Sequence, residues 1–151
     1  MRSGVRLGID VGTARVGVAR SDRDGLLATP VETVPRDERT LGRLRELAAE
    51  LDAVEVVVGL PLSLSGADTA STRDAREVAV SLAETLPVRL VDERLSTVTA
   101  QRQLREAGRH SKGSRPVIDQ AAAVIILQNA LDAERSSGRP PGRPIDSREG
   151  S

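Results

Sequence analysis

The sequence contains no cysteine, so neither a disulfide framework nor a thiolate metal centre can form. It also contains no phenylalanine, tyrosine or tryptophan. The core must then be built from Val, Leu, Ile and Ala, and flat aromatic platforms for unstacked bases are excluded. No apolar run approaches the roughly 20 residues of a membrane-spanning helix; the longest candidate, residues 121–127, is far too short. The opening MRSGVRLGIDVG lacks the apolar stretch of a secretory signal. A soluble, cytoplasmic chain with no membrane association is the expectation.

What is present is one domain's worth of chain, 151 residues, with a formal net charge of zero. The charge is unevenly distributed. Residues 46–93 hold ten acids against three bases, whereas residues 94–118 hold six bases (Arg94, Arg102, Arg105, Arg109, Lys112, Arg115) against Glu106 alone. Charge alone favours a solvated helix face, but a basic segment beside an acidic metal site would also suit a phosphodiester.

Apolar patterning gives the element order. Residues 5–11 (VRLGIDV) form an apolar run closed by Gly12-Thr13, and residues 15–20 alternate within hairpin distance, so both read as strands, with a third over 26–34. Residues 39–51 place Leu41, Leu44, Leu47, Ala48 and Leu51 at helical spacing. The β-branched run 54–60 is a central strand that stops at Pro61, and residues 68–86 form a second helix. A last strand over 88–91 leads into Asp92-Glu93-Arg94. Ser96 or Thr97 caps a further helix that ends at Gly108, and Pro116 opens a final helix to about residue 135. Three antiparallel strands followed by alternating helix and strand predict one α/β domain over residues 1–135, with a mixed five-stranded sheet covered by helices on both faces. The Pro-, Gly- and Ser-rich stretch 136–151 is expected to be a disordered tail.

Three acids stand out. Asp10 lies inside an apolar strand, where an ionised carboxylate is costly unless it is paired or binds a cation. Asp92 and Glu93 follow the last strand, at the end where sites collect in parallel sheets. Side chains alternate along a strand, so only one of these two acids can face inward, and spacing does not say which. Asp119 stands in the first turn of an apolar helix, where an acid also complements the helix dipole. Carboxylates with no cysteine and with one histidine, His110, describe a hard-cation site for Mg²⁺ or Mn²⁺ rather than for zinc. Two such ions about 4 Å apart typically activate water and stabilise a leaving oxygen in phosphoryl chemistry. Arg102, Arg105 and Arg109 share one helix face, opposite Ala100, Leu104 and Ala107. With Lys112 and Arg115 they can track a phosphate backbone.

Four stretches in order, GIDVGTARVGVA (residues 8–19), VVVGLPLSLSG (56–66), DERLST (92–97) and IDQAAA (118–123), resemble the YqgF family. Its members are called pre-16S rRNA nucleases or RuvX-type Holliday junction resolvases. The resemblance spans about residues 5–135 and implies a ribonuclease H-like fold and a nuclease site. The family's first-strand aspartate falls on Asp10, the acid of its D-E-R motif on Glu93, and its last-helix aspartate on Asp119. It implies a nucleic-acid substrate, either the 5′ end of a 16S rRNA precursor or a four-way DNA junction. Thr13, Arg15, Arg94 and Thr97 are near enough in sequence to these acids to contact phosphate. Cutting a junction requires two sites related by a dyad, hence a homodimer, which no exposed apolar stripe declares. Two rivals stand beside this reading. The D-x-G-T start also resembles the phosphate motif of actin-like ATPases, but such a cleft takes two domains. A non-catalytic RNA- or ribosome-associated factor would keep the arginine face without a metal.

Overall fold

A computed structural model of the chain describes residues 2–63, 65–93 and 115–145, the side chains of residues 115–119 excepted. Three strands come first: β1 (Val5–Val11), β2 (Arg15–Ser21) and β3 (Ala28–Pro35). They are followed by α1 (Thr40–Glu50), β4 (Ala53–Leu60), α2 (Ala70–Leu82), β5 (Val88–Asp92), α3 (Arg115–Ser137) and β6 (Arg143–Ile145). The strand order is β3-β2-β1-β4-β5-β6. β1, β2 and β3 form an antiparallel meander, β1, β4 and β5 run parallel, and β6 returns antiparallel along β5.

β1 and β4 are buried on both faces, as their near-continuous apolar runs require of central parallel strands. One face presents Leu7, Ile9, Val56, Val58, Val88 and Leu90 to α1 and α2, whose buried stripes include Leu44, Leu47, Val78 and Leu82. The other face presents small residues, Ala19, Ala28 and Val57, to Ala122, Ala123, Ile126, Leu127, Ala130 and Leu131 of α3. Gly8 permits that close approach. A Cβ there would lie 2.6 Å from Leu127 Cβ and 3.0 Å from the Ala123 carbonyl oxygen.

Two glutamines fix the direction of α3. Gln128 accepts from the Ala28 N–H at 2.9 Å, and Gln120 donates to Thr33 Oγ1 at 2.9 Å. The helix therefore runs antiparallel to β3, and so to β1, β4 and β5. Its N-terminus lies at the end of the sheet where those three strands finish.

The opposite end is locked by charge. Arg2 reaches Glu55 of β4 and Glu134 of α3, each at 2.9 Å. Arg89 adds a 3.0 Å bond to Glu55, and the buried Arg6 lies 3.4 Å from Glu134. Arg2 first, and then Arg6, hold the Glu134 carboxyl down at about 2.

The sheet has six strands, which corrects the expected five. The sixth lies within the stretch read as a disordered tail: α3 continues to Ser137, and Val88, Arg89 and Leu90 pair with Ile145, Pro144 and Arg143. Gly142 turns the chain at φ +60°, where a Cβ would lie 2.0 Å from the Leu90 carbonyl oxygen, and Ile145 is buried in the core. Residues 146–151 lie outside the described residues. So do the helix expected over 96–108 and residues 109–114 after it. β3 begins at Ala28 rather than at Leu26 because the Asp22 carboxylate accepts from the N–H groups of Leu26 and Leu27, extending the turn. α2 begins at Ala70 rather than at Asp68, where Thr69 and Thr72 form a capping box.

Candidate functional site

Asp10 is 1% exposed. It alternates with Ile9 and Val11, which belong to the core under α1 and α2, so its side chain is on the α3 face with Gly8. Its neighbours across the sheet are both glycines. It pairs with Gly17 of β2, and because Ile9 pairs with Val58, the next residues, Asp10 and Gly59, stand side by side. The strand thus carries its carboxylate between two residues that have no side chain of their own.

The register also separates Asp92 from Glu93. Gly59 pairs with Val91, and Leu60 with Asp92. Val91 packs with the α3 cluster and Leu90 with the opposite core, so Glu93 follows Val91 onto the α3 face while Asp92 follows Leu90 away from it. Glu93 is 3% exposed, and its carboxylate folds back over β4, with Oε1 2.7 Å from where a Cβ of Gly59 would be.

The backbone of residue 119 can be located relative to these two acids. Ala123 lies over Gly8, and residue 119 is one turn earlier on α3, about 6 Å nearer the helix N-terminus. Asp10 lies two residues beyond Gly8 in the same direction, about 6.7 Å along the strand. The backbone of residue 119 therefore sits level with Asp10, its side chain being outside the described residues. Among the described residues no group of three His, Cys, Asp or Glu forms a complete metal cluster. The donor set that Asp10 and Glu93 begin consists of carboxylate oxygens on one buried face, which fits a hard divalent cation and not a thiophilic one.

Thr13 and Arg15 lie on the turn that follows Asp10, Thr13 exposed and Arg15 partly so. That turn is pinned by two residues that sequence reasoning missed. The Arg36 guanidinium donates to the Gly12 carbonyl at 2.8 Å and takes Asp74 of α2 bidentately at 2.8 and 2.9 Å. Its backbone N–H donates to the Ala14 carbonyl at 3.0 Å. The Arg36 hydrogen bonds hold the Asp74 carboxyl below the usual carboxylate range. On the next strand exit, Thr72 Oγ1 donates to the Pro61 carbonyl at 2.8 Å. α2 thereby braces the ends of both β1 and β4. No spacing rule links Arg36 to Asp74; only the fold brings them together. Arg94, Thr97, Arg102, Arg105, Arg109 and Lys112, with His110, lie outside the described residues, and Arg115 is the first residue of α3.

Comparison with known proteins gives a consistent answer. A family model described as "RuvX: Holliday junction resolvase" matches residues 4–133. A protein of Leifsonia xyli subsp. xyli named "Putative pre-16S rRNA nuclease" is 60% identical over 154 residues, covering 99% of each chain. A protein of the same name from Streptomyces coelicolor is 57% identical, covering 97% of this chain and 90% of its own. Among solved structures, Thermus thermophilus RuvC in complex with Holliday junction substrate superposes with a TM-score of 0.56 at 20% identity, covering 94% of this chain and 99% of that one. The shared fold is ribonuclease H-like, as the sequence resemblance implied.

Proposed function

Since the chain belongs to the RuvX family, we propose that it is a cytoplasmic, divalent-metal-dependent nuclease acting on the 5′ region of a 16S rRNA precursor. One observation carries the reading. Asp10 and Glu93, distant in sequence, are buried on one face of the sheet at the end to which α3 brings residue 119. Two carboxylates on one buried face suit a divalent cation, whose charge offsets the cost of burying them.

Asp10, Glu93 and Asp119 would hold Mg²⁺ or Mn²⁺, which when bound supplies an activated water and charge stabilisation for the leaving oxygen. The residues of this chain do the rest. Asp10, carried on a central strand between Gly17 and Gly59, has its backbone fixed by the ladder and room for a cation beside its carboxylate. Thr13 and Arg15 present a hydroxyl and a guanidinium from a turn that Arg36 holds still, where they contact phosphates flanking the scissile bond. Arg94 and Thr97 extend that contact. The arginine face of Arg102, Arg105 and Arg109, with Lys112 and Arg115, tracks the backbone further from the cut, a role that leaves binding sensitive to salt.

The test is cleavage of two substrates side by side, a pre-16S rRNA 5′ fragment and a four-way DNA junction, in Mg²⁺, in Mn²⁺ and in EDTA. Metal-dependent cutting of the RNA that Asp10→Asn abolishes supports the proposal. The family description favours a second reading, junction resolution, which requires a homodimer. Cutting of the junction alone by a dimer would establish it instead. Salt-sensitive RNA binding without cleavage under any metal would replace both with a non-catalytic role.

A further inference from the structure

Glycine inside a central strand is unfavourable, because it gives up packing and gains entropy on unfolding. β4 contains one glycine, Gly59, amid β-branched residues. Its backbone does not call for it: Gly59 is not among the glycines at positive φ, so alanine would be conformationally ordinary there. What excludes a side chain is its surroundings. A Cβ would meet Glu93 Oε1 at 2.7 Å, Ile126 Cδ1 at 2.7 Å and Glu93 Cγ at 3.0 Å.

Gly8, on the same face, makes a useful contrast. The atoms that crowd it include the Ala123 carbonyl and Leu127 Cα, so a methyl there would have to move α3 as a body. The two closest atoms at Gly59 are ends of side chains. A methyl at Gly59 would leave the helix in place and displace the Glu93 carboxylate and the tip of Ile126.

We propose that Gly59 is a positioning residue for the cation site: the absent side chain makes the recess in which the Glu93 carboxylate lies over β4, beside Asp10. This rests on reading Glu93 as a metal ligand. It goes further in assigning the ligand's geometry to a residue that touches neither metal nor substrate. Filling the recess moves one carboxylate relative to the other while strand register and core stay intact.

The rival role for Gly59 is to make room for Ile126 alone, and a double variant separates the two. Gly59→Ala would be compared with Gly59→Ala/Ile126→Val, which lacks the crowded Cδ1, and with Ile126→Val, Asp10→Asn and wild type. Melting temperature is read without metal and across a Mn²⁺ titration, and cleavage across the same titration. The expected result is that the double variant melts within about 3 °C of Ile126→Val without metal. Its Mn²⁺ midpoint, in both thermal shift and cleavage, rises tenfold or more, in line with the about 10- to 100-fold typical of disturbed ligand support. A double variant with a wild-type Mn²⁺ midpoint, alongside Asp10→Asn that no longer responds to Mn²⁺, overturns the proposal and leaves the nuclease reading standing. A wild-type protein that Mn²⁺ neither stabilises nor activates overturns the metal reading, and the role of Gly59 with it.

Discussion

The two ends of this sheet bury carboxylates in opposite surroundings. At the end where β1 and β4 begin, Glu55 and Glu134 are buried and gripped by Arg2, Arg6 and Arg89 at 2.9 to 3.4 Å. At the end where β1, β4 and β5 finish, Asp10 and Glu93 are equally buried but are set among Gly17 and Gly59. Arginine supplies a permanent counter-charge and several fixed hydrogen bonds, so the first end is a structural lock. Glycine supplies space: the Glu93 carboxylate lies where a side chain of Gly59 would be, and Asp10 stands beside Gly17. α3 reaches both ends, because one helix carries Glu134 in the lock and brings the backbone of residue 119 level with Asp10.

The difference can be broken from either side. The largest effect is expected from Asp10→Asn or Glu93→Gln. Either should lower cleavage by more than about 100-fold, beyond what loss of a ligand's support costs, while the metal-free melting temperature stays level or rises. Glu134→Gln at the other end should do the reverse. It leaves the buried Arg6 without the carboxylate that faces it, so chemical denaturation should show a loss of about 3 kcal/mol, with the cleavage rate of the folded protein unchanged.

The lock is also sensitive to acid. Glu134 is depressed from 4.5 to about 2, so its contribution is fully present above 4.5 and is lost as pH falls towards 2. Melting temperature measured from pH 5 to pH 2 should fall steeply in wild type and more gently in Glu134→Gln. EDTA should shift neither curve if the lock is independent of metal.

The smallest effect belongs to the brace. Asp74→Asn keeps a hydrogen bond to Arg36 but loses the charge, in a partly exposed pair, so a stability change of about 1 kcal/mol is expected. If Arg36 fixes the phosphate-contacting turn, KM should rise several-fold with kcat nearly constant. Asp74→Glu should restore KM. A fall in kcat alone would place the brace's influence on the acids instead.

Much of this was legible in the sequence because it rests on periodicity. The apolar runs of β1 and β4, the alternation of β2 and the stripes of α1 and α2 each report burial directly. Asp10 stood out because an ionised carboxylate inside VRLGIDV is costly unless it is paired or binds a cation. β6 was not legible: its three residues, Arg143–Ile145, are too few to show a period, and Pro144 argues against a strand except at an edge. The choice between Asp92 and Glu93 depends on the pairing of Gly59 with Val91, which lies between strands. Arg36 and Asp74, and the Arg2–Glu134 pair 132 positions apart, carry no local pattern at all. Gly59 looked like part of a motif, and only the atoms above it give it a physical role.

The most direct measurement is the Mn²⁺-dependent thermal shift of wild type, Asp10→Asn and Glu134→Gln in one buffer. The expected result is a saturable rise for wild type, an equal rise for Glu134→Gln from a lower starting temperature, and none for Asp10→Asn. An undiminished rise in Asp10→Asn would contradict the assignment of the buried acids to cation binding.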